Sequence, residues 1–153
     1  MKKINLFSFV VKNFGFLKYV PLLPLVFDAW LKLWTLLTNA SILDAMEAIE
    51  AEVLTWQGAS AGLHKYGGVQ FNYNGRELGH IHGNGLLDMR FSRSIKNKLL
   101  VENRITHHHV FVNSGWISFY IRNEKDAEYA LRLLKMTYDR RNRINSSTLL
   151  HAS

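Results

Sequence analysis

The sequence predicts an α+β domain, with an antiparallel sheet of about four or five strands and helices packed on one face. Residues 69–82 alternate apolar and polar side chains around Asn74-Gly75, a dipeptide that favours the tight turn of a β-hairpin. Apolar residues recur at helical spacing in 41–53 and in 127–138. With 153 residues, of which 48% are hydrophobic, the chain has the size and composition of one compact domain.

Residues 1–40 are predicted to form an apolar helical segment, and residues 5–40 are apolar nearly all round. Charged residues and prolines interrupt this run, which argues against a clean membrane-spanning helix: Lys12, Lys18, Pro21, Pro24, Asp28 and Lys32. Two alternatives remain. The segment packs on the domain, or it makes peripheral membrane contact through residues 5–40, with Trp30 and Trp34 at the lipid surface.

The domain proper is predicted at residues 41–143. Ser41 and Asp44 have the spacing of a capping box, and the helix that follows should end before Gly58. Its apolar face contains Ile42, Met46, Ile49 and Val53. Residues 57–68 are rich in Gly, Ala and Ser and are predicted to be a connection.

The hairpin brings two of the seven histidines onto a strand. A two-residue turn pairs Phe71 with Leu78 and Val69 with His80. This register places His80 and His82 on the face of the strand aromatics. It aims Glu77 at the opposite face, unless Gly79 marks a bulge that re-aims the side chains.

Alternation and capping signals place the remaining elements. They are a strand at 87–91, a helix from Ser92 or Ser94 to about Asn103, a strand at 105–112, a strand at 116–122, and a helix capped by Asn123. Residues 144–153 show no periodicity and are predicted to be a loose tail.

Composition excludes several kinds of site and partner. Without cysteine the chain has no disulfide, thiolate metal site or cysteine nucleophile, and it gives no sign of an oxidising compartment. The expected location is cytoplasmic or peripheral to a membrane. The formal charge of +7 is densest at Arg140, Arg141 and Arg143, a pattern typical of a solvated helix end. No nucleic-acid partner is predicted, and no phosphate loop or G-x-S-x-G motif occurs.

The candidate site is a histidine cluster, since His80, His82 and the run His107–His109 contain five of the seven histidines. His-x-His on a strand projects both imidazoles to one side, where they can serve a metal, a substrate or a proton transfer. They can equally be core histidines bonded to the backbone, and His107–His109 can be a solvated run. If that run is extended, His108 faces opposite to His107 and His109.

Four other side chains complete the predicted site. Glu77 would orient an imidazole, Trp116 and Tyr120 would form flat walls for an aromatic ligand, and Arg122 would hold a phenolate or carboxylate. Both aromatics can also fill core. Two strand histidines and a third ligand make a minimal metal set, although no matched carboxylate is expected on their face.

Several of these motifs occur together in one family. The chain resembles the luciferase-like domain family, with bacterial members, and the same order is similar to the C-terminal part of fungal luciferase. The resemblance covers about residues 41–139 and rests on these stretches: Gly67-Gly68-Val69-Gln70-Phe71, Arg76-Glu77-Leu78-Gly79-His80-Ile81-His82-Gly83, Leu86-Leu87-Asp88, His108-His109-Val110 and Ser114-Gly115-Trp116-Ile117-Ser118-Phe119-Tyr120-Ile121-Arg122.

The resemblance implies an oxygen-dependent oxidase or monooxygenase acting on a small aromatic or enolic molecule. In the fungal enzyme a hydroxylated styryl-pyrone is oxidised by molecular oxygen without a known added cofactor. Its motif maps onto Glu77, His80, His82, His108 or His109, Trp116, Phe119 and Arg122. This chain is much shorter and has Gly83-Asn84-Gly85-Leu86 where the fungal enzyme has another histidine. Light emission is therefore not expected. The alternative is a non-catalytic ligand-binding or membrane-associated module with structural histidines.

Overall fold

The computed structural model describes residues 22–150, with side chains to residue 145. Within these residues the helices are α1 (Leu23–Thr38), α2 (Ser41–Leu54), α3 (Arg93–Val101) and α4 (Glu124–Leu150). The strands are β1 (Ala59–Leu63), β2 (Val69–Tyr73), β3 (Arg76–Ile81), β4 (Leu86–Arg90), β5 (Thr106–His107) and β6 (Trp116–Tyr120). The part of the predicted N-terminal segment before residue 22 lies outside the described residues.

The strands form one antiparallel sheet in the order β1-β2-β3-β4-β6-β5, which confirms the predicted α+β class. The sheet has more strands than predicted, because the segment expected to be a connection contains β1. It is also not a simple meander. The chain leaves β4, forms α3 and returns as β5, and β6 then inserts between β4 and β5.

Helices α2 and α4 cover one face of the sheet. Their fully buried side chains, which include Ile49, Val53, Leu133 and Leu134, belong to one core cluster with the inward residues of the strands. The strand side contributes Phe71, Ile81, Leu87, Met89, Ile117 and Ile121. Because this face is closed by helices, the opposite face is the one left for polar side chains.

A β-bulge in the hairpin decides which side chains occupy each face. Tyr73 pairs with Arg76 across the predicted two-residue turn. Phe71 then pairs with Gly79, so the predicted partner Leu78 is the extra residue of the bulge. Gly79 suits the position because a Cβ there would meet Met89 Cβ at 2.9 Å. The predicted pairing of Phe71 with Leu78 is therefore wrong.

The bulge reverses the predicted distribution of the site residues. His80 pairs with Gln70 instead of Val69, so it lies on the face opposite to Phe71. One extra residue changes the parity of the strand, and Glu77 thereby joins the face of His80. A bulge does re-aim Glu77, which was the alternative offered by the sequence, but the extra residue is Leu78 and not Gly79.

Helix α1 packs against the second face, which carries the histidines. Its inward stripe is Asp28, Leu31 and Thr35, all buried, and Leu31 contacts Leu86 of β4. The expectation that helices cover one face is therefore incomplete, because α1 lies against the other. Among residues 22–150, no helix is long and apolar enough to cross a membrane.

Three helix ends predicted from capping and glycine residues are confirmed, and one predicted cap is wrong. Ser92 caps α3 by accepting a hydrogen bond from Ile95 N–H, and Asn123 caps α4. Helix α2 ends at Leu54, before Gly58 as predicted. Ser41 forms no capping box, because it lies inside α2 and donates to Asn39 Oδ1. Its backbone is already helical, so its hydroxyl cannot reach the first free N–H groups.

Two predicted elements have different lengths. The strand expected at 105–112 is reduced to Thr106–His107, because the chain turns when His108 accepts backbone hydrogen bonds from Val110 and Phe111. Helix α4 continues to Leu150 and so includes most of the stretch predicted to be a loose tail.

Candidate functional site

A row of polar side chains crosses the sheet on the face opposite to α2 and α4. His80 pairs with Asp88, and Asp88 pairs with Ser118 in the next strand. Directly paired residues of antiparallel strands point to the same side, so the three side chains are neighbours. Asp88 is completely buried, and Ser118 donates its hydroxyl proton to Asp88 Oδ1.

His80 is held by Glu77, its neighbour across the bulge. The Nδ1 atom of His80 lies 2.6 Å from Glu77 Oε1. Burial raises the pKa of Glu77, but the hydrogen bond and charge of His80 outweigh burial and place that pKa below its ordinary value. An ionised carboxylate only accepts, so Nδ1 donates and the Nε2 of a neutral His80 carries a lone pair. That Nε2 lies 3.9 Å from Asp88 Oδ2.

His82 stands between two carboxylates. Its Nδ1 is 3.5 Å from Asp28 Oδ1, and its Nε2 is 3.6 Å from Asp88 Oδ2. Burial lowers the pKa of His82, but hydrogen bonds and charge from Asp28 and Asp88 outweigh burial and raise it to about 9. His82 is therefore an imidazolium at neutral pH, with one carboxylate on each side of the ring.

His108 approaches Asp88 from the loop after β5. Its Nδ1 accepts from the backbone N–H groups of Val110 and Phe111, at 3.1 and 3.2 Å. The proton of a neutral His108 must then sit on Nε2, which lies 3.6 Å from Asp88 Oδ2. Burial lowers its pKa to about 4, so His108 is neutral near pH 7. His109 stacks on the His108 ring at 4.3 Å between centroids.

A further histidine, His64, belongs to the cluster although the sequence did not indicate it. Its ring stacks on His80 at 3.7 Å between centroids and 11° between planes. The Nδ1 atom of His64 is buried without a hydrogen-bond partner. Burial and the charges of His80 and His82 together lower the pKa of His64 to about 4, although the charge of Glu77 raises it. His64 is therefore neutral near pH 7, and the stacked pair carries at most one positive charge.

Aromatic side chains border the histidines on one side. Trp116 lies 6.0 Å from His80 and 5.6 Å from His108 between ring centroids. Phe111 stacks on His108 at 5.2 Å, although half of its side chain remains exposed. Glu77, His109 and Trp116 are partly exposed, so the buried cluster reaches the surface beside this wall.

The other two predicted substrate-binding residues lie towards α1. Tyr120 packs with Leu86, Leu31 and Phe27. Arg122 is exposed, and its guanidinium carbon lies 5.9 Å from the Tyr120 ring. The structure thus brings His80, His82, His108, His109, Glu77 and Trp116 together. It places Tyr120 against α1 and Arg122 near the Tyr120 ring.

Three overlapping sets of donors are close enough to hold a metal ion, with ligand atoms within 4.8 Å of one another. They are His64 with Glu77 and His80, His80 with His82 and Asp88, and Asp88 with His108 and His109. Asp88 Oδ2 is buried without a hydrogen-bond partner within 3.5 Å, which would suit a cation. In the arrangement described, the Nε2 atoms of His82 and His108 bear protons, which a metal ion at Asp88 would have to displace.

Sequence reasoning missed Asp28, His64, Asp88 and Ser118. Asp28 is a lone carboxylate in an apolar helix, which was a usable sign of an internal polar partner. Asp88 alternates with the apolar strand residues Leu87 and Met89, and nothing in the sequence shows that α1 covers its face. The expectation that no carboxylate lies on the face of the histidines is wrong for this reason.

Comparison with known proteins supports one family. Residues 75–137 match the family model described as Luciferase domain, and this stretch contains all eight predicted site residues. No curated protein and no solved structure matches the chain significantly. Between residues 75 and 137, from β3 into α4, the chain is thus similar to the luciferase-like domain family that its motifs predict.

Proposed function

We propose that the chain is an oxygen-dependent oxidase or monooxygenase acting on a small aromatic or enolic molecule at the histidine cluster. One observation carries the proposal: the hydrogen bond from His80 Nδ1 to Glu77 leaves the His80 Nε2 as a proton acceptor inside a buried polar cluster. A base held by a carboxylate on its far nitrogen is a recurring arrangement for proton abstraction. His80 is the base and Glu77 orients it.

His82 has a different role in this proposal. Both of its ring nitrogens face carboxylates, so it has no proton to give up easily and acts through its charge. Its positive charge offsets the negative charge of Asp28 and Asp88, which lowers their repulsion of the anion that forms when a substrate loses its proton. In this proposal His80 removes the proton, and His82 limits the repulsion of the anion.

Molecular oxygen is the second substrate. Once His80 has taken the enol or phenol proton, the electron pair of the anion forms a C–O bond to oxygen. Oxygen is reduced to the peroxide level, and the proton on His80 returns to the peroxide oxygen. The step consumes one substrate and one oxygen molecule, gives a hydroperoxide and restores His80. The chain needs no obligatory cofactor for it.

The burial of the cluster supports function over a purely structural role. His80, His82, His108 and Asp88 are each at most 8% exposed in a chain whose core already contains more than twenty buried hydrophobic residues. Burying polar groups gains little stability unless every donor and acceptor is satisfied, and His64 Nδ1 and Asp88 Oδ2 are not. Apolar residues would be more stable here.

The proposal is tested with the full chain and a panel of phenolic and enolic compounds that includes a hydroxylated styryl-pyrone. Binding should shift the absorption spectrum of the compound towards that of its anion, and oxygen uptake should follow. We expect His80→Gln to remove the absorption shift and to slow oxygen uptake by a factor of about 10²–10⁴. His107→Gln is the matched control, because His107 is exposed and lies on β5. Equal oxygen uptake by a folded His80→Gln protein would overturn the proposal.

A second candidate function is membrane association, which the outer face of α1 favours. Trp30, Trp34 and Leu37 are 47%, 57% and 74% exposed, and Phe27, Trp30 and Trp34 form a stacked series along the helix. Large aromatic side chains exposed along one helix suit insertion into the surface of a bilayer. The net charge of the whole chain, +7, favours a bilayer that contains anionic lipid.

Flotation with vesicles containing anionic lipid tests this candidate. The full chain should float, and the variant Trp30→Ser with Trp34→Ser should stay in the lipid-free fraction. Leu63→Ser with Val101→Ser is the control, because both side chains are exposed on other elements. Flotation unchanged in the tryptophan variant, or self-association that vesicles do not relieve, would overturn it.

A further inference from the structure

A cavity lies away from the histidine cluster, between the β2–β3 hairpin and the C-terminal half of α4. Its volume is about 580 Å³. Five arginines line it, contributed by the hairpin, β4 and α4: Arg76, Arg90, Arg140, Arg141 and Arg143. None of its lining residues belongs to the histidine cluster, so the site would be additional to the one proposed above.

The five arginines of this cavity outnumber the carboxylates near them, which are Asp139 in the lining and Glu77 beside Arg141. All twelve Asp and Glu residues of the sequence fall between residues 28 and 139, within the described part of the chain. Asp139 is the carboxylate that lines the cavity, and it pairs with Lys135 at 3.2 Å. Among the described residues no ion pair involves any of the five arginines. Their counter-charge must therefore come from solution or from a ligand.

The cavity is held in shape by hydrogen bonds from the protein itself. Arg141 donates to the backbone carbonyl of Glu77 at 2.7 Å, and Tyr73 donates its hydroxyl to Asn142 at 3.0 Å. Burial lowers the pKa of Arg141, and the charges of Arg76 and Arg140 lower it further. Like charges held together in this way gain from a bound anion.

The remaining lining residues favour an anion with an apolar body. Phe91, Ile95 and Met136 give an apolar surface, as do Tyr73 and Ile144. Thr137 also lines the cavity; it is 93% buried, since its exposure is 7%, and its hydroxyl has no hydrogen-bond partner. A buried hydroxyl without a partner costs stability, which a ligand oxygen in the cavity would recover.

From this combination we infer that the cavity binds a small organic anion, a phosphate or carboxylate attached to an aromatic or short aliphatic group. The arginines hold the charged group, since their planar guanidinium groups match phosphate and carboxylate oxygens. The apolar residues and the Thr137 hydroxyl receive the body of the molecule. A cavity of this size with a partly apolar lining suits a small molecule better than the extended backbone of a nucleic acid.

Calorimetric titration of the full chain with phenyl phosphate tests the inference. Phenyl phosphate should bind more tightly than inorganic phosphate, and phenol should bind much more weakly. Arg140→Ala with Arg143→Ala should weaken phenyl phosphate binding by at least about tenfold. Thr137→Val, which keeps shape and charge, should weaken it by several-fold, about what one hydrogen bond contributes. Arg93→Ala is the control, because this exposed arginine does not line the cavity.

Three results would overturn the inference. They are equal binding of phenyl phosphate and inorganic phosphate, affinities that Arg93→Ala lowers as much as the double variant does, and binding of an oligonucleotide that phenyl phosphate does not displace. In the folded variants of this cavity, the absorption shift of a phenolic compound bound at the histidine cluster should be the same as in the parent protein. This readout separates failure here from failure of the proposed oxidase activity.

Discussion

The pairing of His82 with two carboxylates predicts that the protein loses stability as the pH rises. The pKa of His82 is raised from 6.5 to about 9 in the folded chain. The folded state thus holds this proton more tightly than the unfolded state does. The resulting stabilisation is present in full below pH 6.5 and is lost as the pH rises through 9.

The magnitude follows from the two pKa values. They differ by about 2.5, and each tenfold change in proton affinity corresponds to about 1.4 kcal/mol, so the contribution is on the order of 3 kcal/mol. For a domain of this length, that amount lowers the melting temperature by roughly 6–12 °C. No cysteine thiol titrates in the same range, because the chain has none.

Urea unfolding at intervals between pH 6.5 and 9.5 measures this contribution. The free energy of unfolding of the parent protein should fall across the range, while that of His82→Gln should stay nearly constant. His107→Gln should behave like the parent. If His82→Gln retains the full alkaline loss of stability, the imidazolium between Asp28 and Asp88 does not exist as described.

Further predictions concern the β-bulge, the loop that Lys96 holds, the stability of the protein at acid pH and its metal content. Gly79→Ala should cost about 1–3 kcal/mol of unfolding free energy, because its Cβ would lie 2.9 Å from Met89 Cβ; a neutral effect in urea unfolding would contradict the register. Lys96→Met should cost about as much, since Lys96 Nζ donates to the carbonyls of Val112 and Ser114; an unchanged urea midpoint would contradict those bonds. Between pH 6.5 and 4 stability should fall, because the lowered pKa values of two cluster histidines let the unfolded state take up protons first; flat stability there would refute it. Elemental analysis of untagged protein should find no stoichiometric transition metal, and a tightly held equivalent would contradict the protonated nitrogens at Asp88.

The secondary-structure elements were easier to predict from the sequence than the sheet face on which each strand side chain lies. Alternation and the Asn74-Gly75 turn were sufficient for the hairpin, because both are local properties of the chain. The bulge at Leu78 was not predictable in the same way. It depends on how closely β3 approaches Met89, a contact between strands that no local pattern records.

In the candidate site, too, residues placed by a local pattern were predicted, and residues placed by contacts between distant segments were not. His80 and His82 were found because a strand repeats every two residues and keeps both on one face. Asp28 and His64 were missed because they reach the site from α1 and from the end of β1, which are distant in the sequence. The arginines near the C-terminus were interpreted as a solvated helix end, and only the fold places Arg76 and Arg90 beside them.

The proposed function depends on a His80 ring that donates from Nδ1 to Glu77, which leaves Nε2 as the proton acceptor, and on a His82 ring that keeps both of its protons. Nitrogen-15 NMR of the histidine rings at pH 7.5 measures this directly, with His80→Gln and His82→Gln to assign the signals. We expect the neutral form of His80 to carry its proton on Nδ1 and His82 to be doubly protonated. A His80 proton on Nε2, or a neutral His82 at that pH, would contradict it.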